Sequence, residues 1–550
     1  MLVALIILTP IIALIYSSLK PTTTELPFQV SGFSFANFVA IFSNPQILEV
    51  TANTLIYVVG SLALTLVLSL GMAYLLERTD LPGRRVLGSF VLAPMATPAT
   101  VFAIAWVLVG NRVNGPVSLA LQSLGINFNI YSLYGMVIVT AIFSVPSMYL
   151  MIAPQLAQLN TELEDVAAST GARWATRMRR VVLPLVAPAT GAASMLMVVI
   201  AIEIFAIPAI LGLPNRTFVF SSLIQEALQP AGGVPNYGKA SSYGVVLLVI
   251  TVVMLTFYNR LLRNSNRYQV VTGKGYRPAL VRLSVWRYPL LALILGYLVI
   301  GILLPIASMV WASLMPFMQA PSVEAFRLIS LDNYAKVLGM PTLIPTVINT
   351  VLVSVLTATL VVALTYWIAS SVVNNRFRGA RRLLDSTTLV YGVPAVVLGT
   401  AILFLYLWAP LPVYGTFWIF VIAFTTRFLP RASRMMHTAL LQVGSDLSEV
   451  ASVAGASRTT IAWRITVPLI RPAIIRTWLW VFAHAIGELP IALLLSTGSV
   501  STVVVMIWQL FEQNASYPEA SALSLMVLVV TLLMTLLLNS SATRQRTARR

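Results

Sequence analysis

Long apolar runs alternate with short polar joints along this chain, and twelve of the runs are long enough to cross about 30 Å of hydrocarbon as helices. The first six lie near residues 1–19, 52–75, 86–110, 131–153, 188–213 and 242–264. The second six lie near 288–314, 343–371, 384–408, 413–437, 472–497 and 519–540. The pattern predicts an all-α polytopic membrane protein with about 12 transmembrane helices.

Composition agrees. Hydrophobic residues make up 58% of the 550 and charged residues only 9%, with mean hydropathy +0.88, far from the charge content of a soluble domain. The chain has no cysteine, which excludes a disulfide framework, a thiol nucleophile and Cys-based metal centres. Its two histidines, His437 and His484, are too few for a His-rich metal site.

A net charge of +18 would suggest nucleic acid in a soluble protein. In a membrane protein, Lys and Arg collect in the cytoplasmic joints. With the N-terminus inside, only Lys20, Arg112, Arg216, Lys239, Arg327 and Lys336 fall outside, and the other 29 of the 35 basic residues fall inside. The orientation follows from that bias, with both termini cytoplasmic and no nucleic acid needed. Segments such as "NRFRGARR" and "RQRTARR" then read as inside-positive determinants. Met1 opens directly into "LVALIILTPIIALIYSSLK" without a basic flank. A signal peptide is the alternative there. The topology instead predicts a transmembrane helix whose flank lies upstream of Met1.

The chain repeats itself. Asp165, Gly171, Pro184 and Pro188 recur as Glu449, Gly455, Pro468 and Pro472 at an offset of 284. Asn53-Thr54, Gly83 and Pro98 recur as Asn349-Thr350, Gly379 and Pro394 at an offset of 296. Each half holds six spans, an even number, which predicts two parallel halves related by an axis along the membrane normal. Their expected bounds are 1–265 and 288–550, joined by a basic cytoplasmic linker, 266–287.

One polar loop is present in both halves, near 160–188 and 444–472. In the first copy, "LEDVAAST" reads as a short helix ended by Gly171, and "ARWATRMRRVVL" as a second helical stretch leading to Pro184. Pro188 is expected to open the fifth span. Small Ala167 and Ala168 allow close approach of another surface, and the acid at Asp165 or Glu449 offers a charge-assisted hydrogen bond to a basic partner. The plainer alternative is an amphipathic loop lying on lipid headgroups. Recurrence with the same Gly-to-Pro spacing argues for docking.

Asp165-Val166-Ala167, Gly171 and Val182-Leu183-Pro184, with Glu449-Val450-Ala451, Gly455 and Thr466-Val467-Pro468, resemble the cytoplasmic signature of ABC importer permeases. Val replaces the first Ala of that signature in both copies, and Asp replaces Glu in the first. "VTGKGYRP", "EIFAIPAILGLP", "YGTFWIFVIAFTTRFLP" and "GELPIALLL" look like the fused ferric-iron type of binding-protein-dependent permease. Polyamine, thiamine and 2-aminoethylphosphonate permeases share many of these features. The resemblance implies a duplicated type I importer permease fold in a bacterial inner membrane. It also implies coupling loops that include Glu164, Asp165, Ala167, Gly171, Pro184, Glu449, Ala451, Gly455 and Pro468. Partners would be two copies of an ATP-binding subunit and an external solute-binding protein.

No phosphate-loop motif occurs, so ATP and Mg would be bound by the partner subunit, and the chain itself carries no catalytic residue, metal site or cofactor. Glu203 and Glu488 lie inside the fifth and eleventh spans, where carboxylates are costly and usually face a cavity or partner. They are candidates for a translocation path that favours a hard cation such as Fe³⁺, with His484 as the i,i+4 partner of Glu488. The alternative is a structural, hydrogen-bonded role. A secondary transporter is the competing function class, but it gives no reason for two such loops.

Overall fold

The computed structural model describes residues 2–21, 25–159, 162–229, 234–265, 280–374, 379–391, 393–408, 412–443 and 446–548. Among them no sheet forms. The fold is helical apart from one isolated parallel bridge, Thr79 to Val281. Among the described residues, eight helices are long and apolar enough to cross a membrane, or ten when two bent pairs each count as one span. Shorter apolar helices, Leu8–Ser18 and Ala395–Trp408, stand at the first and ninth predicted spans. The tenth is Phe417–Leu441, a helix whose interior holds Arg427, Arg431 and Arg434.

Several expected spans need correction: the ninth and eleventh are interrupted, before Ala395 and before Pro490, and the third and fifth differ as follows. The third span is not one helix: Arg84–Ala96 meets Ala99–Gly110 at a bend of 105°. Thr97 precedes Pro98 and is held extended, at φ −95° and ψ 124°, because the proline ring excludes a helical residue before it. The fifth span also begins well before Pro188. Trp174–Arg177, a π turn at Met178–Val182 and Leu183–Glu203 form a run in which Pro188 is interior. The π turn shifts the hydrogen-bond register just before Pro184, where a proline would otherwise leave a carbonyl unbonded. The second copy repeats the device, with a π turn at Ala462–Thr466 before Pro468.

The chain folds into two compact units that are not colinear with its sequence halves. One comprises residues 1–44, 223–248 and 334–550; the other comprises 45–222 and 249–333. Each unit therefore contains the opening helix of the other half. In the first, Leu2–Ser18 packs on Ala395–Trp408, and Gly244 leaves room for Leu14, which is fully buried. A Cβ at Gly244 would lie 3.3 Å from the Leu14 side chain. In the second unit, Gly301 gives the same accommodation to Ile142, at 3.2 Å. That unit's core runs through Leu76, Val145, Ile152 and Ile302. Of the predicted linker, residues 266–279 lie outside the described residues.

The Asn-Thr pair of the repeat has a structural task. Thr54 Oγ1 accepts a hydrogen bond from the Phe220 N–H at 3.1 Å, and Thr350 Oγ1 accepts one from Val503 N–H at 2.9 Å. Each hydroxyl donates in turn to the carbonyl four residues back, at 2.7 Å. Each thus caps the start of a helix, Phe220–Leu228 or Val503–Trp508. Replacing such a cap costs about 1 kcal/mol. Thr350→Val is expected to lower the unfolding temperature of the detergent-solubilised protein. Thr256→Val, whose hydroxyl bonds only within its own helix, is expected to leave it unchanged; equal effects would count against the cap.

Candidate functional site

Both copies of the polar loop fold the same way. The helices Glu162–Ser169 and Asp446–Val453 each end at a glycine with positive φ, +81° at Gly171 and +82° at Gly455. Across the first turn, the Ala172 N–H reaches the Ala167 carbonyl at 3.1 Å. Across the second, Ala456 N–H reaches Ala451 at 3.0 Å. This six-to-one bond with a left-handed residue inside it is the Schellman stop, and an L side chain at either glycine would be strained. The carbonyls of Ala167 and Ala451 close the two turns. Pro184 and Pro468 are exposed early in the helices that follow.

Val166 and Val450, the departures from the signature, are exposed at 63% and 69%, and Val453 on the second helix is more exposed still. The side chains of Asp165 and Glu449 lie outside the described ones. Glu164 does not face outward. Its carboxylate is buried and paired with Arg78, itself buried at the end of Gln46–Arg78. The same guanidinium donates to the Leu159 carbonyl at 3.3 Å, and Trp174 Nε1 donates to Tyr74 Oη at 3.1 Å. The first loop is thereby fastened to the helix Gln46–Arg78. The repeat puts Asn374 where Arg78 stands and Ser448 where Glu164 stands, residue types that cannot form the pair. Asn374 Nδ2 bonds within its own helix instead, to Ser370 at 2.8 Å.

The intramembrane acids sit at equivalent breaks. Glu203 ends the helix Leu183–Glu203, and Glu488 follows the end of Val467–Ile486, before Pro490–Leu495 begins. Both are partly buried. Glu488 Oε1 lacks a hydrogen-bond partner among the described residues, but the carboxylate is within electrostatic reach of Arg427. His484 does not pair with Glu488: its Nδ1–H donates to the Trp480 carbonyl at 2.8 Å, and its ring lies 4.4 Å from the Trp480 ring.

Sequence reasoning passed over the arginines of Phe417–Leu441. Arg427, Arg431 and Arg434 share one face at helical spacing. The signal was readable in "TTRFLPRASR" as three basic residues inside a predicted span. Among the described residues no group of three or more His, Cys, Asp or Glu is placed to hold a metal ion.

Comparison with known proteins adds the following. The family model described as binding-protein-dependent transport system inner membrane component matches twice, over residues 65–267 and 362–547. The ferric transport system permease protein FbpB of Actinobacillus pleuropneumoniae is 24% identical over 544 residues, covering 96% of this chain and 75% of the relative. The Fe(3+)-transport system permease protein FbpB 2 of Haemophilus influenzae is 22% identical over 495 residues, covering 89% of each. The sulfate transport system permease protein CysT of Salmonella typhimurium is 29% identical over 261 residues, covering 47% of this chain and 88% of the relative.

Removing one partner of a buried ion pair costs about 3 kcal/mol, because the other charge stays buried alone. In Glu164→Gln, amide exchange is expected to accelerate across 162–177 and to stay unchanged across 446–466. An equal rise in both loops would contradict a tether confined to the first.

Proposed function

We infer the function from a fixed premise: the chain belongs to the family of binding-protein-dependent transport system inner membrane components and is an ABC importer permease. That membership removes the secondary-transporter reading. We propose that the chain supplies both permease halves of the importer, one copy per complex, with two copies of a separate ATP-binding subunit. Each copy would dock on one polar loop, at Asp165–Gly171 and at Glu449–Gly455. In this reading ATP and Mg belong to the partner, the loops and both termini are cytoplasmic, and an external binding protein delivers the solute. Closure of the ATP-binding subunits on the loops drives alternating access. The observation that carries the reading is the pair of helices stopped by the same glycine turn and followed by the same π turn and proline, once in each half.

Ferric iron is the proposed cargo. Supporting it are two relatives whose names specify ferric transport and whose matches run along 96% and 89% of this chain. Glu203, Glu488 and His484 are proposed to border the path, at breaks that open in the middle of apolar helices. In this proposal they do not ligate iron tightly, since the binding protein provides most of the selectivity.

The test is ATPase activity of the reconstituted complex, with binding protein carrying Fe³⁺, thiamine, a polyamine or 2-aminoethylphosphonate. Stimulation by the Fe³⁺-loaded protein alone is expected. Gly455→Pro should reduce it at least tenfold, because φ +82° is closed to proline. Stimulation by another ligand would replace the cargo and keep the architecture. Failure of any ATPase to associate would remove the coupling role of the loops.

A further inference from the structure

Within the unit that holds residues 334–550, a basic and aromatic cluster lies between Phe417–Leu441 and Val467–Ile486. Arg431 lies 5.0 Å above the Trp480 ring, whose other neighbours are Phe428 at 5.8 Å and His484 at 4.4 Å. One helical turn along, Arg427 donates to the Val393 carbonyl at 3.5 Å and faces Glu488 electrostatically. Arg431 is exposed and belongs to neither the Arg78–Glu164 nor the Lys336–Glu519 ion pair. At 1.5 Å per residue it sits about 15 Å along its helix from Leu441 and about 21 Å from Phe417. A charge at that depth faces a wet cavity or a partner, not lipid.

The cluster belongs to one half alone. At the repeat offset of 284, Arg427, Arg431, Trp480 and His484 correspond to Phe143, Ser147, Leu196 and Ile200. A structural need common to both halves therefore does not account for it.

Its chemistry selects a sign. Two guanidinium groups against one carboxylate leave a positive site, which repels a bare trivalent cation. A guanidinium offers a planar fork of donors matched to carboxylates and oxyanions. Stacking on Trp480 holds that fork in place before any ligand arrives.

We propose that Arg431, with Arg427 behind it and the Trp480 indole beside it, forms a station on the translocation path for a small oxyanion or carboxylate. The anion arrives either as a ligand carried on the metal ion or as free cargo. Fe³⁺ prefers hard oxygen donors, so an iron solute can bring its own anion to this site. The path assignment rests on the importer reading above; the binding step does not.

Two measurements test it. In the first, the full chain with its ATP-binding subunit is placed in nanodiscs and titrated calorimetrically with inorganic phosphate, sulfate and citrate at constant ionic strength, with chloride as control. Saturable binding of at least one is expected, weakened at least tenfold in Arg431→Gln and less in Arg431→Lys. Absence of binding in the wild type overturns the proposal whatever the variants do, as does binding that Arg431→Gln leaves unchanged. In the second, proteoliposomes take up ⁵⁵Fe and ³²P-phosphate from loaded binding protein. Entry of ³²P in step with ⁵⁵Fe identifies the metal's ligand as the source; entry of ³²P alone identifies free anion. Entry of ⁵⁵Fe without labelled phosphate, and with no dependence on added citrate or sulfate, removes the station from the path. No uptake of either label in the wild type refutes the importer reading instead, with the titration standing independently.

Discussion

Backbone N–H and C=O groups in the hydrocarbon of a bilayer have no water to bond, so every interruption of a helix must be compensated by the protein. This chain interrupts its helices often, and the compensation is repeated in both halves. Thr54 and Thr350 cap the helices that resume after a break. Asn37 Nδ2 donates to the carbonyls of Ser18 and Lys20, at 3.2 and 2.7 Å, just past the end of Leu2–Ser18. Asn333 Nδ2 does the same for Ser313 and Met315, at 2.9 and 2.7 Å, at the end of Leu304–Leu314. Breaks that would be ruinous in lipid become fixed corners. Glu203 and Glu488 stand at two of them.

Against this shared backbone the side chains have diverged, and the divergence concerns charge. The first half fastens its polar loop with the buried Arg78–Glu164 pair, while Asn374 and Ser448 hold the matching positions in the second. The second half places Arg427, Arg431, Trp480 and His484 where the first has Phe143, Ser147, Leu196 and Ile200. A buried ion pair adds little net stability over an apolar replacement, but it holds the geometry of what it joins. The halves are thus alike in scaffold and unlike in charge.

Much of this was legible in the residues. Apolar length placed helices along every predicted stretch, eight to ten of them long and apolar enough to cross a membrane, and Gly171 with Gly455 announced the stops because glycine alone enters the left-handed region without strain. Three features were not legible. The bend at Thr97-Pro98 splits a run whose hydropathy is continuous, so a length criterion reads it as one span. The π turns leave no compositional mark; only the following proline hints at them. Glu164 reads as one more acid in a polar loop, since its partner Arg78 lies 86 residues earlier, at the end of a different helix.

The exchange of opening helices also escapes a linear reading, because local pattern says which face is apolar and not which face it meets. Leu14 needs a surface with a gap, and Gly244 supplies it in the unit built mainly on the second half. Ile142 finds its gap at Gly301, in a helix that belongs by sequence to the second half. Each unit is therefore incomplete without a segment from the other half. Either half by itself would lack a helix that packs into the unit built mainly on it. Fusion on one chain keeps the two exchanged helices at fixed stoichiometry, so every copy carries the segments that both units require.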